Sequence, residues 1–453
     1  MRMSLAAGGF PISMANPARF TAPLPKAADV VVVGGGIMGV MTAWYLAEAG
    51  VRVVLCEKGR VAGEQSSRNW GWIRQQGRDL AELPIMVESM RLWRGLSAEF
   101  GAGLGFRQEG VMYLARTEAE MAGFEDWRRQ AMVHQLDTVM QTPEQIKARI
   151  SGVAAPWVGG MLTPSDARAE PWVAVPMLAE GAAARGAVIV EDCAVRRLDR
   201  AGGRITGVYT ERGRIACEQV VVAGGAWSSL FLRAEGVDIP QLSVLASVAQ
   251  TEAMPEVFAG NAADDLFAFR RRQDGSYSIA PGSHHDFFLG PDAFRHVFKY
   301  LPTLKADWRK TRFRAAAPRH YPDGWRTARR WQGDEVSPFE HLRILDPAPN
   351  MATLSRVQDE FAAALPGLGR PKLKKAWAGM IDTMPDVVPV IDRGPVEGLV
   401  IATGLSGHGF GIGPGLGRVV ADLVRGRATG HDLSRFRLSR FRDGSKLDVA
   451  RGL

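Results

Sequence analysis

Residues 28–59 read ADVVVVGGGIMGVMTAWYLAEAGVRVVLCEKG. Val30 to Val33 is a short run of β-branched apolar residues, as expected of a parallel strand buried on both faces. Gly34, Gly36 and Gly39 follow in G-x-G-x-x-G spacing. The pattern then predicts a helix over 38–48, ended by Gly50, and a second strand, VRVVLCE, closing on Glu57. Gly34 permits the tight turn, Gly36 lets backbone approach a pyrophosphate, and Gly39 lets the helix pack on the strand. The helix N-terminus offers unbonded N–H groups and partial positive charge to phosphates. Glu57, 21 residues past Gly36, stands where a carboxylate binds ribose hydroxyls. A glycine fingerprint alone is weak evidence. Here strand, glycines, helix, strand and acid together predict a dinucleotide site.

Two distant segments bear on which dinucleotide. RIACEQVVVAGGAWSSLF (214–231) is a strand running into Ala223, Gly224 and Trp227. GLVIATGLSGHGFGIGPGLGRVVADLVRG (398–426) is a strand, a glycine-rich turn, and a helix expected to start near Pro414. Such a late loop aims backbone N–H groups at something the first loop already holds by its phosphates. An extended FAD, with its ring far from its pyrophosphate, fits that arrangement; a simple NAD domain does not need it.

Around this frame, 453 residues are too many for one simple core, so two interleaved or consecutive domains are expected. The net charge is +8, carried by 46 arginines and only 10 lysines. The arginines are dispersed among acidic residues and no recognition module accompanies them. A solvated basic surface is therefore expected rather than a nucleic-acid partner. Cys56, Cys193 and Cys217 lack metal-ligand spacing and are odd in number, so neither a metal site nor a disulfide framework is expected, and the count fits a reducing cytoplasm. No stretch reaches the roughly 18 apolar residues of a membrane span. Residues 1–27 read as a poorly ordered or edge-strapping extension, within which Met14 is an alternative start.

SSRNWGWIRQQGRD (66–79) crowds tryptophans, arginines and glycines into a segment too broken for a good helix or strand. Together with GGGIMG and Glu57, EDCAV ending at Val195, AGGAWS, WAGMIDTMPD (377–386) and GLSGHGFGIGPG, it resembles the FAD-dependent D-amino-acid oxidase superfamily, specifically its glycine oxidase and monomeric sarcosine oxidase-like branch. The resemblance covers about residues 28–445. It implies an α/β fold: a Rossmann-like FAD-binding domain split along the sequence, and a substrate domain on a mixed, largely antiparallel sheet with helices. The implied division is an N-terminal extension (1–27), FAD-binding parts at 28–100, 175–234 and 371–430, substrate parts at 101–174 and 235–370, and a tail (431–453).

The resemblance also implies roles. Gly34, Gly36, Ile37 and Met38 hold the pyrophosphate, Glu57 and Lys58 the adenosine ribose, and Val195 the adenine. Ala223, Gly224 and Trp227 line the cofactor channel. Ser66, Ser67, Arg68 and Asn69 donate toward the flavin and ribityl chain, and Gly71 lets backbone pass close. Gly379, Gly404, Gly407, His408, Gly409, Phe410 and Gly411 lie near the flavin. Trp72 or Trp70 walls the substrate pocket.

The substrate half predicts a strand in 105–116, a hairpin over 266–282 turning at Asp274-Gly275, a strand in 283–290, and amphipathic helices in 291–308 and 350–369. Positioning supplies most of the rate when a C–N bond is oxidised. A carboxylate substrate calls for an arginine clamp. The relatives' clamp positions hold Ile381 and Gly411 here, which leaves Arg74, in WIR, as the leading candidate. His284, His285 and Tyr277 are candidates for shaping the amine site. The relatives' flavin-linking cysteine falls near Gly379, so noncovalent FAD is expected. Their oxygen-activating lysine has no counterpart in 283–290, which favours a dehydrogenase.

The expected activity is oxidation of an amino acid or a secondary or N-alkylated amine to an imine by hydride transfer to flavin N5, followed by hydrolysis, with oxygen or another electron acceptor. The alternatives are a 2-hydroxy acid dehydrogenase on the same scaffold, the FAD subunit of a hetero-oligomeric amine dehydrogenase, and a flavin enzyme acting on a tRNA base. A homo-oligomer is compatible with the first reading.

Overall fold

The computed structural model describes residues 10–449, apart from the side chains of residues 306 and 307. Two sheets organise it. The first has six strands in the order Val390–Arg393, Leu399–Thr403, Gln219–Val222, Val30–Val33, Val53–Cys56, Val188–Val190. All its pairings are parallel except that of Val390–Arg393 with Leu399–Thr403.

Strand periodicity explains why these runs are apolar throughout. Val30, Val32 and Leu55 face one core, shared with the helices Ile37–Glu48, Pro171–Ala184 and Gly409–Val424. Val31 and Val54 face a second core, capped by the antiparallel strands Val195–Ala201, Arg204–Thr210 and Gly213–Ala216. Each fully buried valine contributes roughly 1.5–3 kcal/mol.

The second sheet is mixed and has ten strands. Its spine is the pairing of Leu242–Thr251 with Leu373–Thr383, antiparallel from Leu242↔Thr383 to Thr251↔Leu373. Residues 373–383, grouped above with the FAD-binding part, are thus strand partners of the substrate sheet. The hairpin joins Phe267–Arg271 to Tyr277–Pro281 through a turn in which Gly275 has φ +79°. His285–Phe288 is the strand within 283–290. Residues 105–116 yield a shorter strand, Val111–Ala115.

The helix expected from Pro414 begins five residues earlier, at Gly409, with Pro414 inside it. Packing overrides its weak helix-forming composition. A Cβ at Gly413 would lie 2.4 Å from Ile37, one at Gly415 2.6 Å from the Ile85 carbonyl, and one at Gly417 2.5 Å from Met41. Only a glycine ridge lets this helix lie so close to its neighbours.

At the N-terminus, Phe10 packs on Trp172 and Trp377 with ring centroids 4.3 and 4.6 Å away. Thr21 and Ala27 make bridges to Val190 and Ala216. Residues 1–9 of the extension lie outside the described residues. In the tail, Phe436 is buried and Arg440 forms a two-pronged pair with Asp386.

Candidate active site

One cavity of about 680 Å³ is lined by residues from both sheets. One end lies where the first sheet's strands finish. Gly34 has φ +110° and a Cβ there would sit 2.5 Å from the Ala223 carbonyl oxygen. Behind the turn, the helix Ile37–Glu48 carries no side-chain hydrogen bond from its N-cap, Gly36, and the Ser66 hydroxyl accepts the Ile37 N–H at 2.9 Å. Backbone N–H groups and the helix dipole therefore open on a glycine cradle. Glu57 accepts from the Gly35 and Gly59 N–H groups, both at 2.7 Å. Burial pushes its carboxyl up to about 7. Val195, Ala223, Gly224 and Trp227 line the same end. This set fits a dinucleotide's adenosine and pyrophosphate.

Lys58 lines the cavity, but its ammonium is committed. It lies 2.8 Å from Glu64 Oε1, 2.7 Å from the Arg343 carbonyl, and over the Trp227 ring at 4.4 Å. Glu64 also accepts the Trp227 indole N–H at 2.9 Å. Lys58 and Glu64 thus set the channel wall instead of reaching for ribose.

The 66–79 segment divides sharply. Arg68 is buried, and its guanidinium donates to Asp346, the Ala378 and Ile12 carbonyls and the Gly63 carbonyl. It ties its own loop to the strand Leu373–Thr383 and to the N-terminal segment, with four of its five N–H groups taken. Ser67 is fully buried off the cavity, with its hydroxyl toward the Glu64 carbonyl. Asn69 lines the cavity while its side chain closes the loop: Nδ2 donates to Gln65 and Ser66 carbonyls and Oδ1 accepts the Gly71 N–H. Gly71 does not line the cavity. Its close neighbour is the Ala169 carbonyl, which a Cβ would approach to 2.5 Å. Its need for glycine is backbone packing at φ +82°.

Trp70 and Trp72 do line the cavity, edge to face with centroids 5.2 Å apart, alongside Tyr113 and Phe124. The Trp72 indole N–H is buried with no hydrogen-bond partner among the described residues. Among the described residues, four arginines line the cavity: Arg60, Arg68, Arg74 and Arg78. Three of them are paired with carboxylates, to Asp192, Asp346 and Glu82. Arg74 gives one N–H to the Gln76 carbonyl and stands 5.7 Å from the Tyr113 ring centre, with no carboxylate pair among the described residues. Its loop is pinned from behind. The buried Asp166 accepts from the Gln75 and Gln76 N–H groups at 2.7 and 3.2 Å, and Arg78 Nε donates to the Arg74 carbonyl at 3.1 Å.

Of the late glycine loop, Gly407, His408, Gly409 and Phe410 line the cavity, as does Gly379 on the facing strand. His408 is the N-cap of the helix Gly409–Val424. Burial pushes its imidazole down to about 4, so it is neutral at pH 7. Gly404 and Gly411 face away. The first packs on Met384, and the second's carbonyl accepts the Ser89 hydroxyl and the Trp93 indole N–H.

Two candidates do not belong to this cavity. Tyr277 is fully buried in the substrate-sheet core, its hydroxyl accepting the Val257 N–H at 3.0 Å. His284 lines a separate cavity of about 350 Å³. His285, one residue on, lines both. Sequence reasoning missed Tyr113, Phe124 and Lys310. Lys310 reaches the cavity from the edge of the sheet, with its ammonium 2.7 Å from Asp265. Tyr113 was discoverable from strand alternation in GVMYLAR; Lys310 follows a helix and carried no local signal.

A dinucleotide cradle opening on an aromatic, arginine-bearing chamber under a second sheet is the architecture of a flavin oxidoreductase. Residues 29–423 match the model of the FAD-dependent oxidoreductase (DAO) family, and the chain belongs to that family. Among solved structures, L-amino acid deaminase from Proteus myxofaciens, in complex with anthranilate, is 31% identical with a TM-score of 0.88, covering 94% of this chain and 97% of that one. The enzyme of the same name from Proteus vulgaris is 31% identical with a TM-score of 0.87, covering 93% and 98%. Among curated relatives, sarcosine oxidase subunit beta of Rhizobium meliloti (strain 1021) is 25% identical, covering 93% of this chain and 90% of that one.

Proposed function

We propose that this FAD-dependent enzyme oxidises the C–N bond of an α-amino acid, or of an N-alkylated one, to an imine that water hydrolyses to a carbonyl compound and an amine. The observation that carries this reading is Arg74, the cavity arginine left without a carboxylate partner among the described residues, beside an aromatic wall. A guanidinium with free N–H groups in such a chamber matches a substrate carboxylate. The likeness to L-amino acid deaminase supports it.

FAD, when bound, supplies the hydride acceptor, N5. The chain's own residues hold and enclose the reactants. Gly34 to Met38 take the pyrophosphate, Glu57 the ribose and Val195 the adenine edge. Trp70, Trp72 and Tyr113 exclude water from the reacting carbon, while Arg74 fixes the carboxylate. The N-terminus of the helix Gly409–Val424 opens on the same space, where its N–H groups favour negative charge.

The carboxylates on the substrate side are already engaged. Glu120 sits in its own capping box, Asp264 accepts from Arg116 and Trp157, and Asp265 pairs with Lys310. Amine oxidation needs only a neutral amine, which suits such a wall. A 2-hydroxy acid must also lose its O–H proton and requires a base; of the cavity imidazoles, His285 is already bonded to the Thr311 hydroxyl and His408 lies beside Glu82. Product assays separate the two. 2-Oxo acid with stoichiometric ammonia or alkylamine from amino acids is expected; turnover of 2-hydroxy acids alone would overturn the proposal. Pairing of Lys310 with Asp265 favours an acceptor other than oxygen, so faster turnover with an artificial dye than with oxygen is expected.

A second reading draws on the Rhizobium relative, which is a beta subunit: the chain works within a hetero-oligomer. The buried free thiols Cys56, Cys193 and Cys217 support a reducing compartment, the cytoplasm.

Two further results are expected. Only Cys56 among the cysteines lines the cavity, and it does so beside Glu57 at the adenosine end, so no cysteinyl link to the flavin ring is available and noncovalent FAD is the expected state. Acid precipitation then releases all the flavin to the supernatant; yellow pellets would contradict this. Glu57 accepts ribose hydroxyls as a carboxylate, and its carboxyl titrates at about 7. Ionisation is lost as pH falls through that value, so FAD affinity drops between pH 8 and pH 6. In Glu57→Gln the affinity is lower and flat with pH. A pH-independent wild-type affinity would refute the ribose role.

A further inference from the structure

The segment 57–72 walls the cavity from Glu57 at the adenosine end to Trp72 in the aromatic chamber. Residues 10–21 run behind that wall, and none of them lines the cavity. The two segments are joined along their length. Arg19 and Phe20 give their N–H groups to Glu191 Oε2 at 2.6 and 3.2 Å, while Oε1 of the same buried carboxylate accepts the Val61 N–H at 2.7 Å. Arg60 Nε donates to the Asn16 carbonyl at 2.8 Å, and Arg68 Nη2 to the Ile12 carbonyl at 3.1 Å. Both arginines line the cavity. Phe10 then packs on Trp172 and Trp377, with the Arg272 guanidinium 5.3 Å from its ring centre. The Trp377 indole N–H donates to the Arg68 carbonyl at 2.9 Å, and Phe10 and Trp70 pack against the same buried cluster of Val248, Ala280 and Trp377.

This strap is lightly held. None of residues 10–20 is buried, and its first bridge to a sheet is that of Thr21 with Val190. A segment with few apolar contacts opens at a lower free energy than the core beneath it. The ring contacts of Phe10 are therefore a large share of what closes that end of the strap. What the strap backs is the cofactor side of the wall. The Ala62 N–H donates to the Gly35 carbonyl at 2.9 Å, which ties the same segment to the phosphate turn. When the strap lifts, Arg60 and Arg68 each lose an acceptor, and the wall from Val61 to Trp70 loses its backing.

We propose that residues 10–20 are a latch on the cofactor: closed, they position the wall 57–72 against FAD and slow its release, and Phe10 is the positioning residue that closes them. The latch acts through the wall, since it does not itself reach the cavity. Closure and binding are reciprocal. FAD in its cleft favours the closed strap by the same factor that the closed strap favours FAD.

The test follows FAD release from the full-length holoenzyme, by the rise of free-flavin fluorescence on dilution, in wild type, Phe10→Ser and Phe10→Tyr. Release about tenfold faster is expected in Phe10→Ser. Phe10→Tyr keeps the ring and releases FAD at the wild-type rate. Global unfolding of the holoenzyme at saturating FAD, read by circular dichroism after a urea jump, is expected to keep its wild-type rate in Phe10→Ser. Unchanged release in Phe10→Ser overturns the proposal, as does a rise in both rates together, which marks Phe10 as a general stabiliser. A second measurement needs no variant. Arg19 is exposed on the strap, and tryptic cleavage after it is expected to slow severalfold as free FAD rises from limiting to saturating. Cleavage there that is indifferent to FAD also overturns the proposal.

Discussion

Replacing Arg74 with glutamine is expected to weaken binding of carboxylate substrates and inhibitors by about 2–5 kcal/mol, with FAD content unchanged. The size follows from the site's enclosure. The guanidinium stands in an aromatic chamber, and a substrate carboxylate brought there without it is a buried, unpaired charge. The loop that carries it is held by Asp166 through two backbone N–H bonds and by Arg78 through the Arg74 carbonyl. The arm is therefore pre-organised, and its loss falls on KM and inhibitor Kd before it falls on kcat. Arg74→Lys restores charge but not the fork, so it recovers only part of the affinity. Equal Kd for a carboxylate inhibitor in wild type and Arg74→Gln would remove the clamp assignment.

The second large effect is expected at Gly39. A Cβ there would lie 1.9 Å from the Gly34 carbonyl oxygen, a rigid backbone atom. Gly39→Ala must push the first helix off the strand or open the phosphate turn. Either change displaces the N–H groups that face the pyrophosphate, so the variant is isolated without flavin or fails to fold. Gly95→Ala is the matched control: it lies exposed in the helix Leu83–Phe100, and a Cβ there meets nothing within 4 Å. Its expected effect is neutral to mildly stabilising, about 0.5–1 kcal/mol. Full FAD loading of Gly39→Ala would show that the turn has slack the packing denies.

The contrast between those two glycines also marks what the sequence could reveal. The first turn was legible because every part of it is local: strand, glycines, helix and acid follow one another in residues 28–59. The aromatic loop was legible as a pocket wall but not in its division of labour. Arg68 and Arg74 are six residues apart and chemically alike. What separates them is Asp346, Ala378 and Ile12, brought to Arg68 from distant parts of the chain. Tyr277 reads as a polar candidate until Val257 and Pro255 meet its hydroxyl. His284 and His285 show the same limit on a smaller scale. His284 precedes the strand His285–Phe288 and lines the smaller cavity, while His285 lines both, a division that two adjacent histidines do not reveal in sequence. The helix at Gly409–Val424 ran ahead of its predicted start because tight packing, invisible locally, outweighed the poor helix propensity of its glycines and Pro414.

The most direct test of the central claim is anaerobic reduction of the bound flavin by an amino acid and by the amine that lacks only its carboxylate, in wild type and Arg74→Gln. The account predicts rapid bleaching by one class of amino acid in the wild type. It predicts slow or no bleaching by the decarboxylated amine, and half-saturation shifted to far higher amino-acid concentration in the variant. Bleaching by the amine as readily as by the amino acid, or no bleaching by any amino acid, would contradict it.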